Sequence, residues 1–267
     1  MKSHLLINNK KIYYSDIGKG ITIVLLHGYL ESSETWKDFS IELSKKYRVI
    51  SFDIPGHGDS EIISEFHTME VLSDVILKSL RKLKVDKCFM IGHSMGGFLT
   101  LMIHELYPEL LSGFCLFQSH PFADSEASKK KRLREIDFVK EGKKDLIATF
   151  NIPNAFANDN YELFKPEIGS AVKIALQTSK EGIIANVHAM ISRPDLSESL
   201  AKSNIPFLYI AGKKDNYIDF NTVVSKINIP ENSELHVLEN SGHMGFIEEK
   251  TESAKIISKF ILNRLTS

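Results

Sequence analysis

Apolar and polar positions along the chain fall into blocks of two different periods. Continuous apolar runs stand at residues 21–26, 48–53, 88–91, 113–117, 207–211 and 234–238. Such runs are the mark of strands covered on both faces. Ahead of them, residues 4–7 and 11–15 flank Asn8-Asn9, a tight-turn pair, and predict an antiparallel hairpin. Between the runs the period lengthens. Residues 68–83 place Met69, Leu72, Val75, Ile76, Leu80 and Leu83 at helical spacing. Residues 95–107 follow a turn at Ser94 and stop before Pro108. Residues 246–265 put Ala254, Ile257, Phe260 and Ile261 on one side of a closing helix. Strand and helix therefore alternate, which predicts an α/β fold: a mostly parallel eight-stranded sheet flanked by helices.

One stretch breaks the alternation. From about Ser119 to Pro194 no strong strand pattern occurs. Leu133, Ile136 and Val139, then Ile168, Val172 and Leu176, mark short amphipathic helices. An insertion of this length between two core strands reads as a helical cap. Its apolar faces need a core beneath them. The expected organisation is a core of residues 1–118 and 195–267 with a dependent cap of residues 119–194.

Composition narrows the class without choosing the function. Of 267 residues, 43% are hydrophobic and 25% charged, as in ordinary soluble globular domains. At this length folding buries roughly three quarters of the unfolded surface, so the core needs no disulfide or metal. A net charge of -1 gives no electrostatic reason to expect nucleic acid or an anionic membrane as partner. The apolar run near Met1 is too short for a secretory signal, and no stretch reaches the roughly eighteen apolar residues of a membrane span. The expected location is the cytoplasm. Cys88 and Cys115 lack metal or redox spacing, so two reduced, buried thiols are expected. A small-molecule substrate is the expected partner; the oligomeric state is left open, a homodimer included.

The strongest chemical signal is Phe89-Met90-Ile91-Gly92-His93-Ser94-Met95-Gly96-Gly97. A buried strand runs straight into Gly-x-Ser-x-Gly, and a helix begins straight after. Gly92 and Gly96 have no side chains to collide across so tight a turn. The Ser94 hydroxyl then stands above the end of the sheet. The helix N-terminus offers the Met95 backbone N–H to a developing oxyanion.

A serine nucleophile needs a histidine base and an acid to orient it. The chain has ten histidines. His243 lies in Ser241-Gly242-His243-Met244-Gly245, past the last strand-like run, where a glycine-flanked loop can present it to Ser94. His93 adjoins the serine but is expected to point the other way along the turn. His57 reads as a satisfied loop histidine and His27 as a brace of its own loop. His104 and His236 fall inside a helix and a strand, and His4 and His67 near exposed ends. His120 and His188 lie in or beside the cap, where solvent exposure is the plainer expectation for each. Asp215 follows the 207–211 run and fits the acid; Asp219 reads better as a helix N-cap. The cap also holds a basic run, Lys129-Lys130-Lys131-Arg132-Leu133-Arg134. It reads either as a solvated helix face or as an attractor of an anionic acyl group or acidic carrier protein.

The motifs His27-Gly28, Pro55-Gly56-His57-Gly58, Gly92 to Gly96, Gly212 to Asp215 and Gly242-His243 occur in an order that resembles the α/β-hydrolase superfamily over nearly the whole chain. Within it, cap segments at Lys140-Glu141-Gly142 and at residues 189–195 are similar to the esterase and 3-oxoadipate enol-lactonase-like group. Haloalkane dehalogenases share the layout but use aspartate where this chain has Ser94. The resemblance implies a Ser94, His243 and Asp215 triad, with the backbone N–H groups of Tyr29 and Met95 as the oxyanion hole. It implies ester or lactone hydrolysis through an acyl-enzyme, with neither metal nor organic cofactor required. Candidate substrate contacts are His27, Gly28, His120, Phe122 and Met190; Phe138, Phe150, Phe156 and Phe164 read more as packing. Two alternatives stay open: a C–C bond hydrolase or cofactor-free lyase on the same scaffold, and a ligand-binding sensor with a slow or vestigial site.

Overall fold

An eight-stranded sheet frames the computed structural model, which describes residues 2–265. Strands β1 (Lys2–Ile7) and β2 (Lys10–Ile17) form the antiparallel hairpin. Asn8 and Asn9 turn it with φ of 50° and 61°, the left-handed pair that a two-residue hairpin turn requires. The remaining strands are β3 (Thr22–Leu26), β4 (Arg48–Phe52), β5 (Cys88–His93), β6 (Leu111–Phe117), β7 (Phe207–Gly212) and β8 (Ser233–Leu238). Their spatial order is β1-β2-β4-β3-β5-β6-β7-β8. Every neighbouring pair from β4 onward is parallel.

The core helices are α1 (Lys37–Ser44), α2 (Met69–Lys82) and α3 (Met95–Leu106). Between β6 and β7 come α4 (Glu126–Lys140), α5 (Lys144–Asn154), α6 (Lys165–Gln177), α7 (Lys180–Ser192) and α8 (Ser197–Ala201). The chain closes with α9 (Phe220–Lys226), α10 (Gly245–Glu248) and α11 (Lys250–Leu265). The single helix expected over 246–265 is thus two. The break falls where Glu248 and Glu249 turn back to accept hydrogen bonds from Gly242, Met244, Asn240 and Ser241.

Strand alternation divides the core in two. Val24, Leu26, Met90, Leu116 and Tyr209 face one side of the sheet with α2 and α3. Ile23, Leu25, Ile91, Phe117 and Ile210 face the other with α1 and α11. Cys88 belongs to the first side and Cys115 to the second, so the sheet separates the two free thiols. Burial pushes the Cys88 thiol up to about 12, so it stays protonated and inert at neutral pH.

The order β4-β3-β5 places the site. From β3 the chain moves outward to β4 and then returns to β5 on the opposite flank of β3. In open α/β sheets ligands bind beyond the carboxyl ends of strands at such a reversal. The loop after β3 and the turn after β5 both open there.

Helix α7 ties the cap segment to this end of the sheet. Buried Asn186 donates to Pro55 O at 2.9 Å in the loop after β4. His67 N donates to Ala185 O at 3.2 Å. Gly182 lies against the Gly56 carbonyl so closely that any Cβ would overlap it.

Candidate active site

Ser94 stands between β5 and α3 with φ 49° and ψ -114°. A non-glycine residue held there stores roughly 1–3 kcal/mol of strain, which persists only where surroundings fix it. Gly92 and Gly96 permit the turn: a Cβ on the first would overlap Gly96 O, and one on the second would overlap Leu26 O. The Ser94 N–H donates to Phe117 O at 3.1 Å, and its carbonyl accepts from Ser119 Oγ at 2.7 Å. The hydroxyl is left at the floor of a cavity of about 270 Å³.

His243 lines the same cavity while only 6% exposed. Its Nδ1 lies 2.7 Å from Asp215 Oδ2. Asp215 is fixed in turn, because Oδ1 accepts from Tyr217 N at 2.8 Å and Ile218 N at 2.9 Å. Burial pulls the His243 pKa down, but the Asp215 charge and hydrogen bond outweigh it and hold the imidazole above its ordinary value. Asp219 is instead the N-cap of α9, accepting from Thr222 N at 2.8 Å.

The loop carrying His243 is held from several sides. Buried Glu248 accepts from Gly242 N at 2.9 Å, Met244 N at 3.2 Å and Ala157 N at 2.8 Å. Gln118, in the left-handed region at φ 48°, donates to Gly242 O and accepts from Gly245 N. His243 N donates to Ala155 O at 2.6 Å. Sequence reasoning missed Glu248 and Gln118, since their partners are backbone groups that leave no pattern in the chain.

Opposite lies the loop after β3. Among the described residues, neither the Tyr29 nor the Met95 backbone N–H donates a hydrogen bond within the protein. Both residues border the cavity region, Tyr29 directly and Met95 as the first residue of α3 after Ser94. His27 is fully buried: Nδ1–H donates to Gly28 O at 2.7 Å, and Nε2 accepts from Ile54 N at 3.0 Å. That pattern is the neutral ring of a brace. His57 Nε2 likewise accepts from Leu30 N at 3.3 Å.

Of the candidate substrate contacts, His120 and Met190 line the cavity. His27, Gly28 and Phe122 do not. His27 spends both nitrogens on backbone. Gly28 faces Glu31 and His93, and Phe122 stacks on the far side of His120 at 5.6 Å between ring centroids. His120 is half-buried rather than exposed, and burial with nearby Arg193 pushes its pKa down to about 4, leaving it neutral. Phe138 and Phe150 point to solvent at 48% and 70% exposure, while Phe156 is core.

The basic run is not wholly a solvated face. Lys131 and Arg132 line the cavity beside Asp124. Arg132 Nε donates to Asp124 Oδ2 at 2.6 Å, and Arg193 pairs with Asp124 Oδ1 at 2.8 Å while stacking over Phe98. From the same helix, Glu135 accepts from the Tyr29 hydroxyl at 2.6 Å. Two cations thus share the Asp124 carboxylate, and Lys131 lines the cavity beside them. Among the described residues no cluster of three or more His, Cys, Asp or Glu side chains is arranged to hold a metal ion.

The strand order, the strained serine and the loop histidine paired to a strand-end aspartate define the α/β-hydrolase fold. Residues 21–135 match the family model described as alpha/beta hydrolase fold. An esterase from Thermogutta terrifontis superposes with a TM-score of 0.93 at 23% identity, covering 99% of each chain. The enol-lactonase from Burkholderia xenovorans superposes at 0.89 and 21% identity, over 97% of this chain and all of its own. In sequence, the chain is 26% identical to the 2-hydroxy-6-oxononadienedioate/2-hydroxy-6-oxononatrienedioate hydrolase 1 of Pseudomonas putida, over 96% of this chain and 92% of that one. The solved structures share the α/β-hydrolase fold, and the family model and the Pseudomonas putida relative make this chain similar to known hydrolases.

Proposed function

We propose that the protein is a serine hydrolase of small carboxylic esters or lactones. The observation that carries this reading is the strained Ser94 sharing one small cavity with His243, whose Nδ1 is 2.7 Å from Asp215. His243 takes the Ser94 proton as the hydroxyl attacks the carbonyl carbon. Asp215 holds the ring and stabilises its charged form. The Tyr29 and Met95 N–H groups receive the oxyanion, worth roughly 3 kcal/mol per donor in measured analogues. His243 then protonates the leaving alkoxide, an acyl-Ser94 remains, and water repeats the sequence to release the acid. A cavity of about 270 Å³ lies near the lower limit of ligand pockets, roughly 300–1,000 Å³, which favours a short acyl group. Lys131 and Arg132 favour one with a carboxylate remote from the scissile bond.

A second reading has one specific support. The Pseudomonas putida relative is named for a 2-hydroxy-6-oxo dienedioate, a ketone without an ester, whose hydrolysis breaks a carbon–carbon bond. A panel of short p-nitrophenyl esters, lactones and one dienone acid separates the two. The ester reading expects turnover of esters or lactones that falls to background in Ser94→Ala. Turnover of the dienone acid alone would replace it with the C–C reading. Ester turnover unchanged in Ser94→Ala would end both.

A further inference from the structure

Behind the cavity, the oxyanion loop and the base loop are joined by two side chains that the triad chemistry does not use. Glu31 is 5% exposed and His93 wholly buried. His93 does point away from the hydroxyl, but onto the backbone of the base loop: its Nε2 lies 2.7 Å from His243 O. A carbonyl oxygen only accepts, so Nε2 carries a proton. The other ring nitrogen, Nδ1, lies 2.9 Å from Glu31 Oε1. An ionised carboxylate and a bare ring nitrogen are both acceptors and would repel at that distance, so the pair carries one more proton, held in an ion-pair contact that lies outside hydrogen-bond alignment. Glu31 Oε2 meanwhile accepts from the Gly28 N–H at 3.0 Å. A Cβ on Gly28 would stand 2.6 Å from Glu31 Oε1 and 2.8 Å from His93 Nδ1, so glycine is needed there to admit the pair.

The surroundings close the pair off from solvent. Trp36, Phe117 and Phe246 meet the His93 ring edge-on at 6.2, 6.4 and 5.0 Å between centroids. The titratable groups facing the pair are His243, with ring centroids 4.8 Å from His93, and the neutral ring of His27. Burial raises the Glu31 pKa, but His93, with the Gly28 N–H, outweighs it and holds the carboxyl below its ordinary range. Glu31 also borders the cavity with Ser94. A lone carboxylate there would oppose the negative charge of a tetrahedral intermediate, and the added proton makes the pair neutral.

We infer that Glu31 and His93 together carry that extra proton and act as a positioning clamp. The clamp sets the Tyr29 N–H donor, through Gly28, against His243, through its carbonyl. Its effect on rate rests on the serine-hydrolase reading; the extra proton does not.

The test uses the full chain, with imidazole-labelled NMR and ester kinetics on wild type, Glu31→Gln and Glu31→Ala. The glutamine amide can still accept from Gly28 N–H and can donate to a bare Nδ1, so it keeps the geometry without the extra proton. Wild type is expected to show both His93 ring nitrogens protonated in its nitrogen-15 shifts at neutral pH, and E31Q only Nε2. E31A is expected to lose about 10- to 100-fold in kcat, the scale of a misplaced catalytic group, with KM within about twofold. E31Q is expected to recover at least about tenfold of that loss. A bare His93 Nδ1 in wild type overturns the clamp. So does a folded E31A with kcat within about threefold of wild type, or, if E31A does not fold, an E31Q as slow as Ser94→Ala. Should wild type turn over no ester, the nitrogen-15 shifts alone decide the clamp and the hydrolase reading falls separately.

Discussion

At the scale of single residues, the chemistry depends on which groups stay neutral. His243 must be unprotonated to accept the Ser94 proton. Its pKa is raised above 6.5 because Asp215 outweighs burial. The kcat/KM profile is therefore expected to rise with pH through a limb above 6.5. In Asp215→Asn the desolvation remains and the opposing charge is gone, so the limb should move to lower pH. The rate should fall by about 10⁴-fold, since the amide favours the wrong tautomer. A profile unmoved by the substitution would remove Asp215 from the site. The three positions proposed as the triad each stand in a local pattern that the sequence displays: a strand–turn–helix serine, a strand-end aspartate and a glycine-flanked histidine. The Glu31 and His93 pairing was not legible, because their partners lie on distant loops, 62 and 150 residues apart in sequence for His93.

 At the scale of elements, α7 decides how the cap segment sits over the site. Its spacing carried no clear amphipathic stripe, because Gly182, Ile183, Ala185, Asn186, Val187, Ala189 and Met190 are all buried. A helix covered on most sides loses the one-sided pattern that marks a surface helix, so it was hidden within the expected cap. Helix α6 kept that stripe through Ile168, Ala171 and Ala175, whereas in α4 only Ile136 and Val139 of the expected stripe are buried and Leu133 is exposed. Asn186 links α7 to the loop after β4 through Pro55 O. Asn186→Ala leaves that buried carbonyl without its donor and is expected to cost about 1–3 kcal/mol in a urea unfolding curve. A midpoint equal to wild type would show that water or a neighbour takes over the bond. The split between α10 and α11 was equally invisible, since it follows from Glu248 and Glu249 capping the base loop rather than from any helix-breaking residue.

At the scale of the whole molecule, the sheet supplies the geometry and the inserted helices supply the walls. The reversal at β3 brings the Tyr29 loop and the Ser94 turn to one end, and β7 and β8 bring Asp215 and His243 to the same end. Among the described residues, no helix is long and apolar enough to cross a membrane. The insertion rests on the core through Asn186, His67 and the Tyr29–Glu135 hydrogen bond. We therefore propose that residues 119–194 form a dependent cap. A fragment of those residues alone is expected to show no cooperative thermal transition by circular dichroism; a sharp transition would make it a domain in its own right. The central claim is that Ser94 carries the acyl group. The most direct measurement is the mass of tryptic peptides from protein quenched during turnover of a short p-nitrophenyl ester. The expected result is one acyl adduct, on the peptide containing Ser94, absent from Ser94→Ala. Steady turnover with no adduct on that peptide, or with the adduct on another residue, would contradict the account.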